Sequence, residues 1–232
     1  MNIRLLNRPT ERITQNLDNW SRRLKIPLAT KQTPIEAAII IGDGTPDDIV
    51  WLILTHKLNG KQTIGLTKPP GWLGLSSINL IPTLIKGEKI KSVIVAVDQE
   101  TNTLEEVWRE AEKSLKDRGI GFEVVERGER VCILTCTYAN YEFKTLIVVN
   151  GVDKQIYRRH TIEDHLLEFC KESLGADLDT LLNESEGDPK EAWRRLKDKE
   201  EHIYQQLLTS GKTEHIFTQH VAALRFLQTL PS

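Results

Sequence analysis

The chain is poor in cysteine, methionine and aromatic residues, carries no marked excess of charge of either sign, and has no long apolar run. Its three cysteines, Cys132, Cys136 and Cys170, are odd in number and form no secretory disulfide framework. A reducing, intracellular environment is therefore expected. Cys132 and Cys136 fall on one face of a predicted strand, too far apart to pair without a bend, and all three read as small core residues. No stretch approaches the ~20 apolar residues of a membrane span. The first residues lack the apolar core of a signal peptide, which predicts a cytoplasmic protein with no membrane partner. A formal net charge of −2 supplies no general basic field for nucleic acid. That argues against a simple coating protein, but not against an enzyme that meets phosphate through metal ions. Internal repeats and low-complexity tracts are also missing.

What remains is an ordinary globular composition: 232 residues, 39% apolar and 28% charged, enough for one large domain or one domain with a helical extension. Residues 10–25 read as an amphipathic helix with Ile13, Leu17, Trp20 and Leu24 on one stripe, packed on the chain's own sheet or serving a homodimer. Ile35–Ile41 and Ile90–Val97 are apolar on both faces, as covered parallel strands are. Between and after them come a helix over Asp47–Leu58, a short strand at Gln62–Leu66, a Pro/Gly-rich loop, and a helix over Ser77–Ile85 with Pro82 near its start. A further helix opens on the capping box Thr103-x-x-Glu106, and Phe122–Val125 returns as a strand. Val131–Thr137 and Lys144–Val149 form a hairpin or an edge extension. Beyond Gly151 the pattern is helical: Thr161-x-x-Asp164 caps one helix, Asp188-Pro189-Lys190-Glu191 opens another running to about Leu208, and a last helix carries Ile216, His220, Ala223, Leu224 and Leu227. The expected fold is α/β, a mainly parallel Rossmann-like sheet flanked by helices over residues 1–150, with a C-terminal helical region over residues 151–232.

The chemistry concentrates at two strand ends. In Ala37–Asp48 (AAIIIGDGTPDD) the apolar run stops at Gly42, Asp43 follows, and Thr45-Pro46-Asp47 reads as a helix start with Thr45 as cap and Pro46 at the first helical position. In Lys91–Glu100 (KSVIVAVDQE) the second run ends on Asp98 and Glu100, whose i, i+2 spacing sends both to one side. The carboxyl edge of an open α/β sheet is where ligands bind. Four acids gathered there repel one another unless a cation relieves them, so Asp43, Asp47, Asp98 and Glu100 are candidates for a hard-cation site. The competing structural reading makes Asp47 a complement to the helix dipole, Asp43 a turn residue, and Asp98-Gln99-Glu100 a solvated strand end. In the loop KPPGWLG, Lys68 and Trp72 are candidates to hold a nucleic-acid base or close over a ligand, against a reading of Trp72 as a plug at the sheet's end. Lys144, Lys154 and Arg158 compete with Lys68 to supply a cation to the site. His160 and His165, like His215 and His220, are five apart and so roughly 140° apart on a helix. That suits no zinc motif, and they read as surface or partly buried structural residues.

With D-G-T-P-D after one strand and D-Q-E after another, the chain resembles the TOPRIM family, the metal-binding domain of topoisomerases, DnaG-type primases and OLD-type nucleases. The resemblance covers residues 35–126 and is nearest to the small stand-alone prokaryotic members. Asp43 stands where that family's first motif has Glu, and Glu100 where its D-x-D motif has a second Asp. Thr161-Ile162-Glu163-Asp164 corresponds to a later Glu-Asp segment that opens a helix. The resemblance implies Mg²⁺ (or Mn²⁺) held by Asp43, Asp98 and Glu100, with Asp47 in support, and phosphodiester chemistry on DNA or RNA, most economically hydrolysis by a nuclease. Two alternatives stay open: a non-catalytic TOPRIM-like module that binds nucleic acid, a nucleotide or a protein partner, and an unrelated Rossmann-like enzyme whose G-D-G-T-P-D turn faces a phosphate.

Overall fold

The computed structural model describes residues 2–58, 60–69, 71 and 74–230. Seven strands form one sheet: β1 (Asn2–Leu5), β2 (Ala37–Ile41), β3 (Thr63–Thr67), β4 (Ser92–Asp98), β5 (Gly121–Arg127), β6 (Val131–Tyr138) and β7 (Tyr141–Asn150). Their order is β1-β3-β2-β4-β7-β6-β5. All pairings from β1 to β7 are parallel, and β6 and β5 close that side as antiparallel strands. The fold is therefore α/β, with a mainly parallel sheet flanked by helices.

Alternation along β2 and β4 explains why both strands read as unbroken apolar runs. Ile39, Ile41, Ile94 and Ala96 enter one hydrophobic cluster, while Ala38, Ile40, Val93 and Val95 enter a second on the opposite face. The second face is covered by a 3₁₀ segment (Gly74–Leu80), α3 (Ile81–Glu88) and α4 (Leu104–Asp117). The capping box on α4 is present in full, with Thr103 and Glu106 exchanging side-chain and backbone hydrogen bonds.

The first face carries two layers. Against the sheet lies α2 (Asp47–Leu58), buried without a break from Asp47 to Thr55. A helix that is apolar all round has no solvent face. Its outer side is covered by α1 (Arg12–Arg23) and by C-terminal helices, among them α8 (Glu200–Thr209) and α10 (Thr218–Thr229). The α1 stripe is consumed in this packing: Leu17, Trp20 and Leu24 are buried, and the Trp20 ring meets Tyr204 edge-on at 5.0 Å. Ile13, on the same stripe, is partly buried against that core. The remaining helices are α5 (Ile162–Leu174), α6 (Leu178–Asn183), α7 (Pro189–Arg194) and α9 (Thr213–Ile216).

One expected alternative is settled and several expectations are corrected. The two later strands do form a hairpin, through Ala139 and Asn140, which both take positive φ as a two-residue primed turn requires. The hairpin is no edge extension, because β7 lies beside the central strand β4. The strand expected at 122–125 is the outer edge, antiparallel to β6. The helix expected from Asp188 to Leu208 breaks into α7, a 3₁₀ turn at Lys197–Lys199, and α8. Short i→i−3 bonds at Leu196 and Lys199 tighten that turn while Trp193, Leu196 and Ile203 all stay buried. Thr45 does not cap α2. Its hydroxyl meets Asp48 at 3.4 Å, and the Pro46 carbonyl accepts the first helical bonds, from Ile49 and Val50. β1 and α6 were not expected. Among the described residues no helix is long and apolar enough to cross a membrane.

Candidate functional site

Parallel register brings the acidic motifs together. Ile41 of β2 pairs with Ala96 of β4, so the chain two residues on places Asp43 beside Asp98. The Asp98 backbone N–H donates to Asp43 Oδ2 at 2.9 Å. Close approach of the two chains requires a glycine before Asp43: a Cβ on Gly42 would stand 2.8 Å from the Gly74 carbonyl and 2.9 Å from that of Ala96.

On the other side of β4, Asp98 pairs with Asn150 at the end of β7. Asn150 is fully buried, and its amide nitrogen donates to Asp47 Oδ1 at 2.7 Å and to Asp98 Oδ1 at 2.9 Å. His220, also fully buried, lies with Nε2 2.8 Å from Asn150 Oδ1. Because the amide nitrogen is committed to two carboxylates, His220 is the donor in that bond. Asp98 Oδ1 also accepts from the Ile162 N–H at 3.2 Å, so the positive end of α5 points at it. The same first turn delivers Glu163, and the capping box Thr161/Asp164 fixes where it starts.

A lysine completes the cluster. Asp188 caps α7 by accepting from the Lys190 and Glu191 backbone N–H groups, and this aims Lys190 at the acids. Its Nζ lies 2.6 Å from Glu100 Oε1 and 3.2 Å from Asp98 Oδ2. Glu100 itself stands at the rim, paired also with Arg159 at 3.5 Å, on a backbone held by two hydrogen bonds to His160. The acids enclose a cavity of about 190 Å³ lined by Thr45, Asp47, Asp98, Glu163 and Lys190, among others.

Electrostatics follow from that geometry. Burial, then the charges of Asp98, Asp43 and Glu163, pushes Asp47 well above the ordinary carboxylate range. Burial and the charges of Asp43 and Glu163 do the same to Asp98, and burial raises Asp43 and Glu163. Burial opposes the charge on Lys190, but Asp98, Glu100 and Glu163 outweigh it and hold the ammonium protonated. One ammonium thus acts on Asp43, Asp98 and Glu163, with Glu100 at the rim.

No protein-family model, curated protein or solved structure matches this chain.

The structure brings Asp43, Asp47 and Asp98 together and sets Glu100 at the edge of the group. Lys68 lies close by: a Cβ on Gly44 would stand 3.5 Å from its Nζ. Its backbone N–H and carbonyl are both held by the Asn7 amide. Trp72 lies outside the described residues. Lys144, Lys154 and Arg158 are elsewhere, on Thr135, Glu168 and Glu186. The expectation of surface or partly buried histidines fails for His165 and His220, which are buried in an aromatic group with Phe217. Sequence reasoning missed Asn150, Lys190 and His220 as site residues. The only local signal for Asn150 was a polar residue and a glycine closing the apolar run LIVVNG.

The donor set suits a hard cation in kind. Among the described residues no group of three or more His, Cys, Asp or Glu is arranged to hold a metal ion. Mg²⁺ does not require such a cage, since it keeps waters and takes one or two carboxylates. Two buried carboxylate oxygens in the cluster, Asp98 Oδ2 and Glu163 Oε2, accept no hydrogen bond among the described residues. Lys190 is near enough to Asp98 Oδ2 to balance charge, but its geometry makes no hydrogen bond there. These two oxygens are the unpaired acceptors of the cluster.

Proposed function

We propose that this chain is a TOPRIM-like, Mg²⁺-dependent phosphodiester hydrolase acting on nucleic acid in the cytoplasm. The observation that carries the reading is the convergence of Asp43, Asp47, Asp98 and Glu163 around buried carboxylate oxygens that lack a hydrogen bond. Asp98 and Glu163, with Asp43 adjoining, would hold Mg²⁺ or Mn²⁺, and the ion when bound would supply Lewis acidity toward a phosphate oxygen. The chain's own residues do the rest. Asn150 and the α5 N-terminus fix the Asp98 carboxylate. Lys190, charged and partly exposed, is placed to meet a phosphate oxygen. Glu100 and Arg159 hold the rim.

Hydrolysis is favoured over covalent transfer through Tyr157 or Tyr204. Tyr157 and Tyr204 are buried on Glu168 and Glu200, and burial raises both phenols, so neither is poised as a nucleophile. A second reading has its own support. Lys190 already bridges Asp98 and Glu100 as an internal counter-ion, which suits a non-catalytic module of the same fold that binds nucleic acid, a nucleotide or a protein partner.

The deciding experiment is thermal unfolding with Mg²⁺ or Mn²⁺, paired with cleavage of labelled single- and double-stranded DNA and RNA. A ligand that binds only the native state raises the midpoint with concentration. Wild type should show that rise, and Asp98→Ala should lack it. Cleavage lost in Asp43→Ala supports the hydrolase, and a metal response without cleavage supports the binding module. If wild type shows no response to either metal, both readings of the site fail.

A further inference from the structure

The first turn of α2 borders two spaces. Asp47 lines the acid cavity of about 190 Å³, and Asp48, the next residue, lines a groove of about 770 Å³ between α1, the loops after β2 and β3, and the turn after α7. Thr45, Trp193 and Arg194 line both, so a ligand seated at the acids continues into the groove. The groove is the size of a small-molecule site, for which roughly 300–1,000 Å³ is usual.

Charge decides what kind of group the groove takes. Arg194 is answered by Glu191, while Arg12, Lys68 and Lys197 make no ion pair among the described residues. Three carboxylates match those three cations. Glu11 accepts from Asn7 and the Arg8 N–H, Glu200 from Tyr204, and Asp48 from Asn16, Thr45 and the Ile49 N–H, all neutral donors that leave the charge in place. With the two signs balanced, a row of phosphates gains no net attraction there. An uncharged group with both donors and acceptors does find partners. The remaining walls are apolar: Ile13, Trp20, Pro69 and Trp193. Trp20 and Trp193 both pack on Tyr204, with ring centroids 5.0 and 6.0 Å away, so their rings are set before anything binds. A flat group with apolar faces and a polar edge fits such walls, and a nucleoside has that form.

We infer that the acid cavity and the groove together bind one nucleoside monophosphate unit, free or at the end of a strand, with its phosphate toward the acids and its nucleoside between α1 and the turn after α7. This rests on the reading of the cluster as a cation site that meets phosphate, and it adds the unit that the site recognises.

The test is thermal unfolding in Mg²⁺ with increasing adenosine 5′- or 3′-monophosphate, adenosine, ribose 5-phosphate or inorganic phosphate, since a ligand of the native state raises the midpoint with concentration. The tighter of the two nucleotides is expected to bind at least tenfold better than each of the other three, because only a nucleotide fills both spaces. Ile13→Trp fills the groove and should cost at least tenfold in nucleotide affinity while keeping the wild-type response to inorganic phosphate. Arg12→Trp, at an exposed position, serves the same purpose if Ile13→Trp fails to fold. A phosphorothioate-linked five-nucleotide strand, which resists cleavage, separates the two sources. With a terminal phosphate, binding within tenfold of the mononucleotide makes the ligand a strand end, and weaker binding makes it a free nucleotide. A nucleotide that binds no tighter than inorganic phosphate overturns the inference and leaves the reading of the acid cluster standing. A strand without terminal phosphates that binds as well as the mononucleotide also overturns it, as does a folded groove variant that binds nucleotide like wild type. Nucleotide binding that is unchanged in chelator supports the groove and overturns the reading of the acid cluster instead.

Discussion

Asn150 offers the sharpest test of how this site is built. Its side-chain nitrogen is the shared donor for Asp47 and Asp98, and its oxygen accepts from the His220 N–H. Hydrogen bonds to charged groups contribute roughly 1.5–3 kcal/mol each, and a buried donor left unpaired costs about 1–3 kcal/mol. Asn150→Ala removes two of the first kind and strands the His220 N–H. Allowing for partial protonation of the acids once their donor is gone, the net loss should be about 4 kcal/mol, a large part of the roughly 5–15 kcal/mol that keeps a domain folded. The charges make the loss depend on pH. Asp47 and Asp98 have folded pKa values raised above the ordinary range, so they become neutral as pH falls, and a neutral carboxyl needs the amide donor less. Urea unfolding at pH 8 and pH 5 reads both effects, with the deficit larger at pH 8. Asn150→Asp separates chemistry from size: nearly isosteric with Asn, it should still destabilise more than Ala at pH 8, because it adds a carboxylate where two others need a donor. A loss under about 1 kcal/mol for Asn150→Ala, or an Asp variant as stable as wild type at pH 8, would refute the donor role.

Three other outcomes are expected. His165 is buried and its pKa is lowered to about 4, chiefly by burial, so between pH 4 and about 6.5 the unfolded chain binds the extra proton. Stability from this residue therefore falls on acidification through that window, by about 3 kcal/mol in all. Asp48, raised to about 6 by burial, acts in the opposite sense, so comparison of His165→Phe with wild type is needed to isolate the histidine in pH-dependent urea unfolding. Gly42→Ala drives a methyl group into two backbone carbonyls and should destabilise by about 1–3 kcal/mol, read from the same transition. Lys190→Met removes the ammonium that balances Asp98 and Glu100, so its melting temperature should fall in chelator and rise with Mg²⁺ by more than that of wild type; an equal rise in both would show that Lys190 does not share the cation's place.

Legibility tracked the range of the physics involved. β2 and β4 were readable because a strand covered on both faces is apolar at every position. The nearness of Asp43 and Asp98 then followed from parallel register, which carries two strand ends to one edge. The place of β7 was not readable. The local pattern of the segment from Lys144 to Val149 suits an edge and a centre equally, and the choice depends on what covers each face far away in sequence. Asn150 was lost with it. Lys190 was read correctly as part of a helix start, yet the cap at Asp188 says where the helix begins and nothing of what it faces. The break after Leu196 was hidden because Trp193, Leu196 and Ile203 keep helical spacing across a 3₁₀ turn. His220 gave no signal because its partner, Asn150, is 70 residues away in sequence.

The kind of partner given to the acids bears on their charge state, on which the proposed cation depends. Burial alone would favour neutral carboxyl groups, and a fold suited to neutral acids would provide acceptors for their protons. Asp43, Asp47 and Asp98 instead meet donors: the Asp98 N–H, the Asn150 amide and the Ile162 N–H. The Asn150 amide is kept from turning its oxygen toward them by the His220 N–H behind it. Donor-only surroundings stabilise the ionised form. Ionised acids at this depth repel one another, and removing partners from buried charges is strongly destabilising. Lys190 answers one of those charges, with Glu100 competing for it. On the proposed reading, a further positive charge at Asp98 Oδ2 and Glu163 Oε2 would offset that repulsion. Asp98→Asn tests this directly. If the acids are ionised and uncompensated, removing one charge should raise the melting temperature in chelator while abolishing the response to Mg²⁺. If they are neutral, the substitution should leave stability unchanged or lower it.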